Sequence, residues 1–127
     1  MGKEPFSPKK RLQSFKYAFQ GIAYLFKNEP NARIHRFVAI CVVAAGALLK
    51  IDRMEWIAIL FAIGFVLAAE ALNSAIEALG NEVSPDYSER IRHSKDVAAA
   101  GVLIAVLTAI AIGLIVFVPK MVGLIHS

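Results

Sequence analysis

Apolar residues in this chain gather into three long blocks, over about residues 34–49, 54–79 and 97–118. A helix needs about 20 apolar residues to cross the ~30 Å hydrocarbon core of a bilayer, so each block predicts a membrane-spanning helix. The third is the cleanest, since 97–118 carries no charge. The first is short and reads as a tilted or buried span. Ahead of them, residues 9–28 hold Leu12, Phe15, Phe19, Ile22 and Phe26 at helical spacing, with Lys9, Lys10, Arg11, Lys16 and Lys27 around the polar sector. That pattern predicts a basic amphipathic helix. Its apolar face can lie in the membrane interface or pack on the spans, and both can hold.

The breaks between these elements are marked. Residues 1–8 read as a disordered tail, and 9–127 as one membrane domain. Ser7-Pro8 can start the first helix, with serine as cap and proline at the first helical position. Glu29-Pro30-Asn31 breaks it before the first span. Lys50-Ile51-Asp52-Arg53 forms a short turn. Gly80-Asn81 reads as the stop of the second span, Ser84-Pro85-Asp86 as the next helix start, and Pro119 as the end of the last span.

The 127 residues suffice for one small domain, and 57% of them are hydrophobic, with a mean hydropathy of +0.59. No signal peptide is visible, so the first apolar block reads as a retained anchor. The lone Cys41 falls inside a span, where packing is its expected role. Lys3, Lys9, Lys10, Arg11, Lys16, Lys27, Arg33 and Arg36 precede or open the first span, and Arg90, Arg92 and Lys95 follow the second; only Lys50, Arg53 and Lys120 fall on the other side. The positive-inside rule then puts the N-terminus in the cytoplasm and the C-terminus outside. The formal charge of +4 points to anionic headgroups or an anionic substrate. No nucleic-acid motif is present.

The candidate chemistry begins at Glu70. Trp56–Ala69 is uncharged, and Glu70, Asn73 and Glu77 follow within the same apolar stretch. An ionisable group at that depth costs roughly 2.5–3.5 kcal/mol on insertion scales and marks a functional site by default. At about 100° per residue, Glu70 and Glu77 lie roughly 20° apart and Asn73 roughly 60° from Glu70, so one helix face carries all three. Glu29 precedes the first span, and Lys95 and Asp96 open the third. Carboxylates supply a general base and hard oxygen ligands for magnesium. A lysine neutralises phosphate as a point charge. Phosphoryl transfer needs those parts and little covalent chemistry from the protein.

Plainer readings exist for most of these groups. Glu77 and Asp96 can be interfacial charges on helix ends, Lys95 can snorkel to headgroups, and Asn73 can bond between helices. Glu70 is the hardest to explain so. His35 sits near headgroup level, His93 in a charged loop and His126 at the terminus, and their spacing suits no metal site. Ser74 has no histidine base nearby, which argues against a hydrolase triad. The absence of a G-x-x-x-x-G-K-[ST] loop excludes a P-loop.

Glu70-Ala71-Leu72-Asn73-Ser74-Ala75-Ile76-Glu77, followed by Lys95-Asp96-Val97-Ala98-Ala99-Ala100 before the last span, resembles the prokaryotic diacylglycerol kinase family. The resemblance covers roughly residues 10–118. It implies an all-α integral membrane protein with an N-terminal amphipathic interfacial helix and three transmembrane helices, working as a homotrimer with sites shared between subunits. It implies that Glu70 is the base that takes the lipid hydroxyl proton, with Asn73 holding the neighbouring acidic groups. Glu29 and Glu77 match the carboxylates that hold the magnesium of MgATP. Lys95 and Asp96 match nucleotide contacts, and Tyr17 and Asp86-Tyr87-Ser88 fall where the family contacts ATP. Lys10 falls where a basic residue meets phosphate or lipid, and Ser14, Asn31, Arg33 and Ala99 near the lipid-binding surface.

Two stretches, Ser14-Phe15-x-x-Ala18-x-x-Gly21 and Glu29-x-Asn31-x-Arg33-Ile34-His35, look like the branch that phosphorylates undecaprenol, whereas the diacylglycerol branch more often has an acidic residue at the position of His35. Many members carry aspartate four residues after Glu77. Here Asn81 keeps the size and loses the charge. The expected function is thus an ATP- and magnesium-dependent lipid kinase of the bacterial inner or plasma membrane, acting on diacylglycerol or undecaprenol. A small transporter using a membrane-embedded glutamate is the alternative, and its signature would be a fourth span with little loop charge bias. A non-catalytic membrane scaffold is the third reading, favoured only by Asn81.

Overall fold

The computed structural model describes residues 5–126 and is all helical: α1 (Pro8–Asn28), α2 (Pro30–Leu48), α3 (Arg53–Val83) and α4 (Glu89–His126). Of the tail expected over residues 1–8, residues 1–4 lie outside the described residues. As the sequence predicts, Ser7 caps α1, its side chain accepting from the Lys10 backbone N–H, with Pro8 at the start of the helix. Pro30 forces Glu29 into an extended conformation (φ −110°, ψ 108°) that ends α1 and opens α2.

The three apolar blocks are α2, α3 and α4, each long and apolar enough to cross a membrane. At 1.5 Å per residue, α3 and α4 are about 46 and 57 Å long, well beyond the ~30 Å hydrocarbon core. Both therefore project past the bilayer. α2 and α3 join through a tight turn at 49–52, in which Lys50 takes the left-handed conformation (φ 53°). The turn closes because Gly46 has no side chain. A Cβ there would lie 2.9 Å from Trp56 Cη2 and 3.0 Å from Ile51 Cδ1. Ile51, Ile59 and Val116 form a small core at this end, flanked by Val42, Leu49, Trp56, Ile63, Ile112 and Phe117.

Three sequence boundaries are corrected. Gly80-Asn81 does not stop α3, which runs on to Val83 and ends at Ser84. Gly80 is not in a left-handed conformation; it is small because α4 crosses there, and a Cβ would lie 3.0 Å from Lys95 Cε and 3.1 Å from Ile91 Cγ2. Pro85 is the actual breaker, since it bars its predecessor from the helical region. Ser84-Pro85-Asp86 does not begin α4. Asp86-Tyr87-Ser88 belong to the linker, α4 begins at Glu89, and Ser88 Oγ accepts from the Ile91 backbone N–H at 3.4 Å. Pro119 does not end α4, which continues to His126. The extension is anchored by Lys120 Nζ, 3.2 Å from Glu55 Oε1 in the first turn of α3.

Most of the apolar surface faces outward. Phe37, Phe61, Leu72 and Ile115 are exposed along the spans, as a lipid-facing or partner-facing surface requires. On α1, Leu12, Phe15, Phe19 and Ile22 are exposed, while Leu25 is buried and Phe26 half-buried, so only the C-terminal end of its apolar face packs on its own chain.

Candidate functional site

The site grows out of the seam along α3. Ile59, Ala62, Val66 and Glu70, four of its buried residues, stand at three- and four-residue spacing, which puts them on one stripe of the helix. The stripe is apolar up to Val66 and polar from Glu70 on, through Asn73, Ser74 and Glu77. Glu70 is 1% exposed, and no other charged residue is buried among the described residues. By helix rise it stands about 26 Å from Arg53, near the far edge of the hydrocarbon core from the 49–52 turn.

Charged groups from the start of α2 and from α3 itself converge on Glu70. Glu29, half-buried where α1 passes into α2, does not use its side chain to cap α2. Glu29, Glu77 and His35 all act on the Glu70 carboxylate electrostatically. His35 Nε2 lies 3.8 Å from Glu70 Oε2. Three buried oxygens here have no hydrogen-bond partner among the described residues: Glu70 Oε2, Asn73 Oδ1 and Ser74 Oγ. An unsatisfied buried polar atom costs about 1–3 kcal/mol, so three in one place describe a site awaiting a ligand or partner.

Farther along α3, past Glu77, Lys95 Nζ donates to Asn81 Oδ1 across the α3–α4 seam. The polar column from Glu70 to Asn81 spans about 16 Å of helix, which suits an elongated ligand better than a single ion. Asp96, the neighbour of Lys95, pairs within α4 to Arg92 at 3.5 Å. Asp86 and Tyr87 are exposed on the linker and Ser88 is half-buried there.

The residues expected for magnesium, Glu29 and Glu77, reach the Glu70 neighbourhood, but no group of three or more His, Cys, Asp or Glu poised to hold a metal exists among the described residues. Neither glutamate side chain has an ion-pair or hydrogen-bond partner there. Magnesium keeps several waters and takes one or two carboxylates together with substrate phosphates. The donor set therefore fits an ion brought in by a nucleotide and does not fit a resident metal.

Other candidates are not gathered at Glu70. Because α1 is continuous, Lys10, Ser14 and Tyr17 stand about 27, 21 and 16 Å from its Asn28 end. Ser14 Oγ bonds back to the Lys10 carbonyl at 3.1 Å. Asn31 and Arg33 are exposed on the first turn of α2 and Ala99 is exposed on α4. Two groups in the site escaped sequence reading. Ser74 was weighed only as a nucleophile, although its spacing of four from Glu70 puts it on the same face. His35 enters the sequence reading only near headgroup level and as a mark of the undecaprenol branch, and its place beside Glu70 follows from how α2 packs on α3.

Comparison with known proteins shows the family of the chain. The chain is 32% identical over 114 residues to the diacylglycerol kinase of Synechocystis sp., covering 89% of this chain and 65% of that protein, so it spans just under two thirds of that relative's length. It is 31% identical over 110 residues to the undecaprenol kinase of Bacillus subtilis, covering 87% of this chain and 89% of that one. It is 29% identical over 94 residues to the diacylglycerol kinase of Escherichia coli strain K12, covering 74% and 77%. The sequence profile of prokaryotic diacylglycerol kinase matches residues 16–117, which take in Glu29, His35, Glu70, Glu77 and Lys95. With three spans rather than four, the transporter alternative has no support. This multi-pass bacterial membrane protein belongs to the prokaryotic diacylglycerol kinase family.

Proposed function

We propose that the chain transfers the γ-phosphoryl group of ATP to the free hydroxyl of a membrane lipid, diacylglycerol or undecaprenol. The observation that carries this reading is Glu70: a carboxylate 1% exposed, at the edge of the membrane core, with Oε2 unpartnered. A base there meets a hydroxyl arriving from the bilayer and a phosphate arriving from water.

In this reading Glu70 takes the hydroxyl proton as the lipid oxygen attacks the γ-phosphorus. The new O–P bond forms as the bond from the γ-phosphorus to the β,γ-bridging oxygen breaks, and ADP leaves. Asn73 holds the acidic groups in register. Glu29 and Glu77 would hold magnesium together with the nucleotide phosphates, where it would supply charge neutralisation. Lys95 meets the phosphates and Asp96 another part of the nucleotide, with Asp86, Tyr87 and Ser88 alongside.

The same reading puts the N-terminus and the 84–88 linker in the cytoplasm, because Lys and Arg are concentrated on that side. α1 lies in the interface with its exposed apolar residues in the acyl boundary and its lysines among headgroups. The lipid surface takes in Ser14, Asn31, Arg33 and Ala99, with Lys10 at the phosphates. Lys10 and Tyr17 sit too far along α1 to close on Glu29 of their own chain. That distance supports an oligomer in which a second copy supplies them, and the family resemblance makes it a homotrimer.

Mixed micelles containing diacylglycerol or undecaprenol, incubated with labelled ATP and magnesium, test the reading. Label in either lipid identifies the acceptor. MgATP binding without label in either lipid contradicts the reading, and no MgATP binding at all favours a non-catalytic scaffold.

A further inference from the structure

The buried carboxylate of Glu70 has an unpartnered oxygen, Oε2, and a donor from another helix lies beside it. That donor is His35. Its Nε2 lies 3.8 Å from Glu70 Oε2, with the histidine side chain 22% and the glutamate side chain 2% exposed. The other charged groups that act on Glu70, Glu29 at the start of α2 and Glu77 on α3 itself, are acidic and have no proton to offer as carboxylates. Asn73 and Ser74 also carry donors, but both are on the same helix as Glu70 and make no hydrogen bond to its Oε2.

His35 also looks the other way. It is one of the residues lining an apolar cavity of about 240 Å³ between α2, α3 and α4. Val38 and Val42 on α2, Ala62 and Val66 on α3, and Ile110 on α4 line it. The imidazole therefore separates the buried carboxylate from a greasy space at membrane depth. A side chain in that place can aim Glu70 while its ring face stays against hydrocarbon.

We infer that His35 is a positioning residue for Glu70: its Nε2–H donates to Glu70 Oε2 in the working complex and turns Oε1 toward the acceptor hydroxyl. The 3.8 Å separation is longer than a hydrogen bond, and bonds of this kind commonly tighten only when substrate is bound. Its effect is expected on the chemical step, because the histidine lies beside the base and makes no ion pair with Glu29 or Glu77 among the described residues.

The inference rests on the kinase reading, and the experiment separates the two. Wild-type protein, His35→Gln, His35→Asn and His35→Leu are purified in detergent, checked for oligomeric state and thermal midpoint, and assayed with MgATP and the lipid the wild type labels; Glu70→Gln is the control. A glutamine amide nitrogen can take the place of Nε2, whereas that of asparagine reaches only the place of Nδ1. His35→Gln is expected to keep kcat within about threefold of wild type. His35→Asn and His35→Leu are expected to lose roughly 10- to 100-fold in kcat, as for a misaimed catalytic group, with KM for MgATP within about twofold. If His35→Leu does not assemble, the glutamine–asparagine comparison decides alone. Equal activity of the glutamine and asparagine variants, or wild-type kcat in the leucine variant, overturns the inference while Glu70→Gln remains inactive. Wild-type protein that labels no lipid overturns the kinase reading instead, and an active Glu70→Gln overturns the assignment of Glu70 as the base.

Discussion

Lys95 reaches from α4 across the seam to α3 and donates its Nζ to the side-chain carbonyl of Asn81. Asparagine holds the ammonium in place without neutralising it, so the full positive charge remains for an anionic ligand. Aspartate at this position would form an ion pair and compete with phosphate for the same lysine. Asn81→Asp is therefore expected to raise KM for MgATP roughly three- to tenfold with kcat within about twofold. Steady-state kinetics at saturating lipid measure it, and an unchanged or lower KM would contradict the assignment of Lys95 to the phosphates.

Glu29 and Glu77 reach Glu70 from different elements, and both lack side-chain partners among the described residues. Each carboxylate is expected to contribute to magnesium affinity. Glu29→Gln and Glu77→Gln should raise the magnesium concentration for half-maximal activity about tenfold or more, in the range seen when groups supporting a metal are removed. Titration with magnesium at fixed ATP measures this, and chelation by EDTA should abolish activity in the wild type. A magnesium curve identical to wild type in both variants would remove them from the metal site.

The close approach at Gly46 predicts a stability effect far from the chemistry. An added methyl meets the Trp56 ring at 2.9 Å and Ile51 at 3.0 Å, two groups of the small core at the 49–52 turn. Overpacking costs about 1–3 kcal/mol, against about 0.8–1 kcal/mol gained by alanine over glycine in a helix. Gly46→Ala should lower the thermal midpoint in detergent while the folded fraction keeps its kcat. A raised midpoint would show that the indole has room to move.

Asp52 starts α3 with a reciprocal cap. Its Oδ1 accepts the Glu55 N–H at 2.9 Å and its own N–H donates to Glu55 Oε1 at 3.0 Å. Chiefly through the Glu55 N–H, with a smaller pull from Lys120, the Asp52 carboxyl is held below its ordinary value of 3.8. Its stabilising contribution is therefore complete above 3.8 and is lost as the pH falls below that value through the lowered one. Asp52→Asn keeps an accepting oxygen and does not titrate. Thermal midpoints measured from about pH 5 downward should fall less steeply in that variant than in the wild type, and identical slopes would contradict the cap's role.

Local chemistry made much of this fold legible. Ser7-Pro8 and Glu29-Pro30 were readable because proline fixes φ wherever it stands, and Glu70 stood out because a charge after 56–69 conflicts with the apolar run around it. The misread boundaries share a cause. Gly80 and Pro119 resemble stop signals in isolation, but what decides them is remote: Ile91 and Lys95 crossing at Gly80, and Glu55 holding Lys120 beyond Pro119. His35 was illegible for the same reason. Its partner is 35 positions away, and no periodicity in either helix signals the pairing.

The most direct test is phosphoryl transfer by Glu70→Gln, which keeps the shape of the side chain and removes the base. Wild-type protein and the variant are compared in mixed micelles with labelled ATP, magnesium and the accepted lipid, with MgATP binding and oligomeric state measured alongside. The account predicts a rate loss of roughly 10²- to 10⁴-fold, the usual worth of a general base, with assembly and MgATP binding unchanged. A Glu70→Gln variant that phosphorylates lipid at the wild-type rate would contradict it.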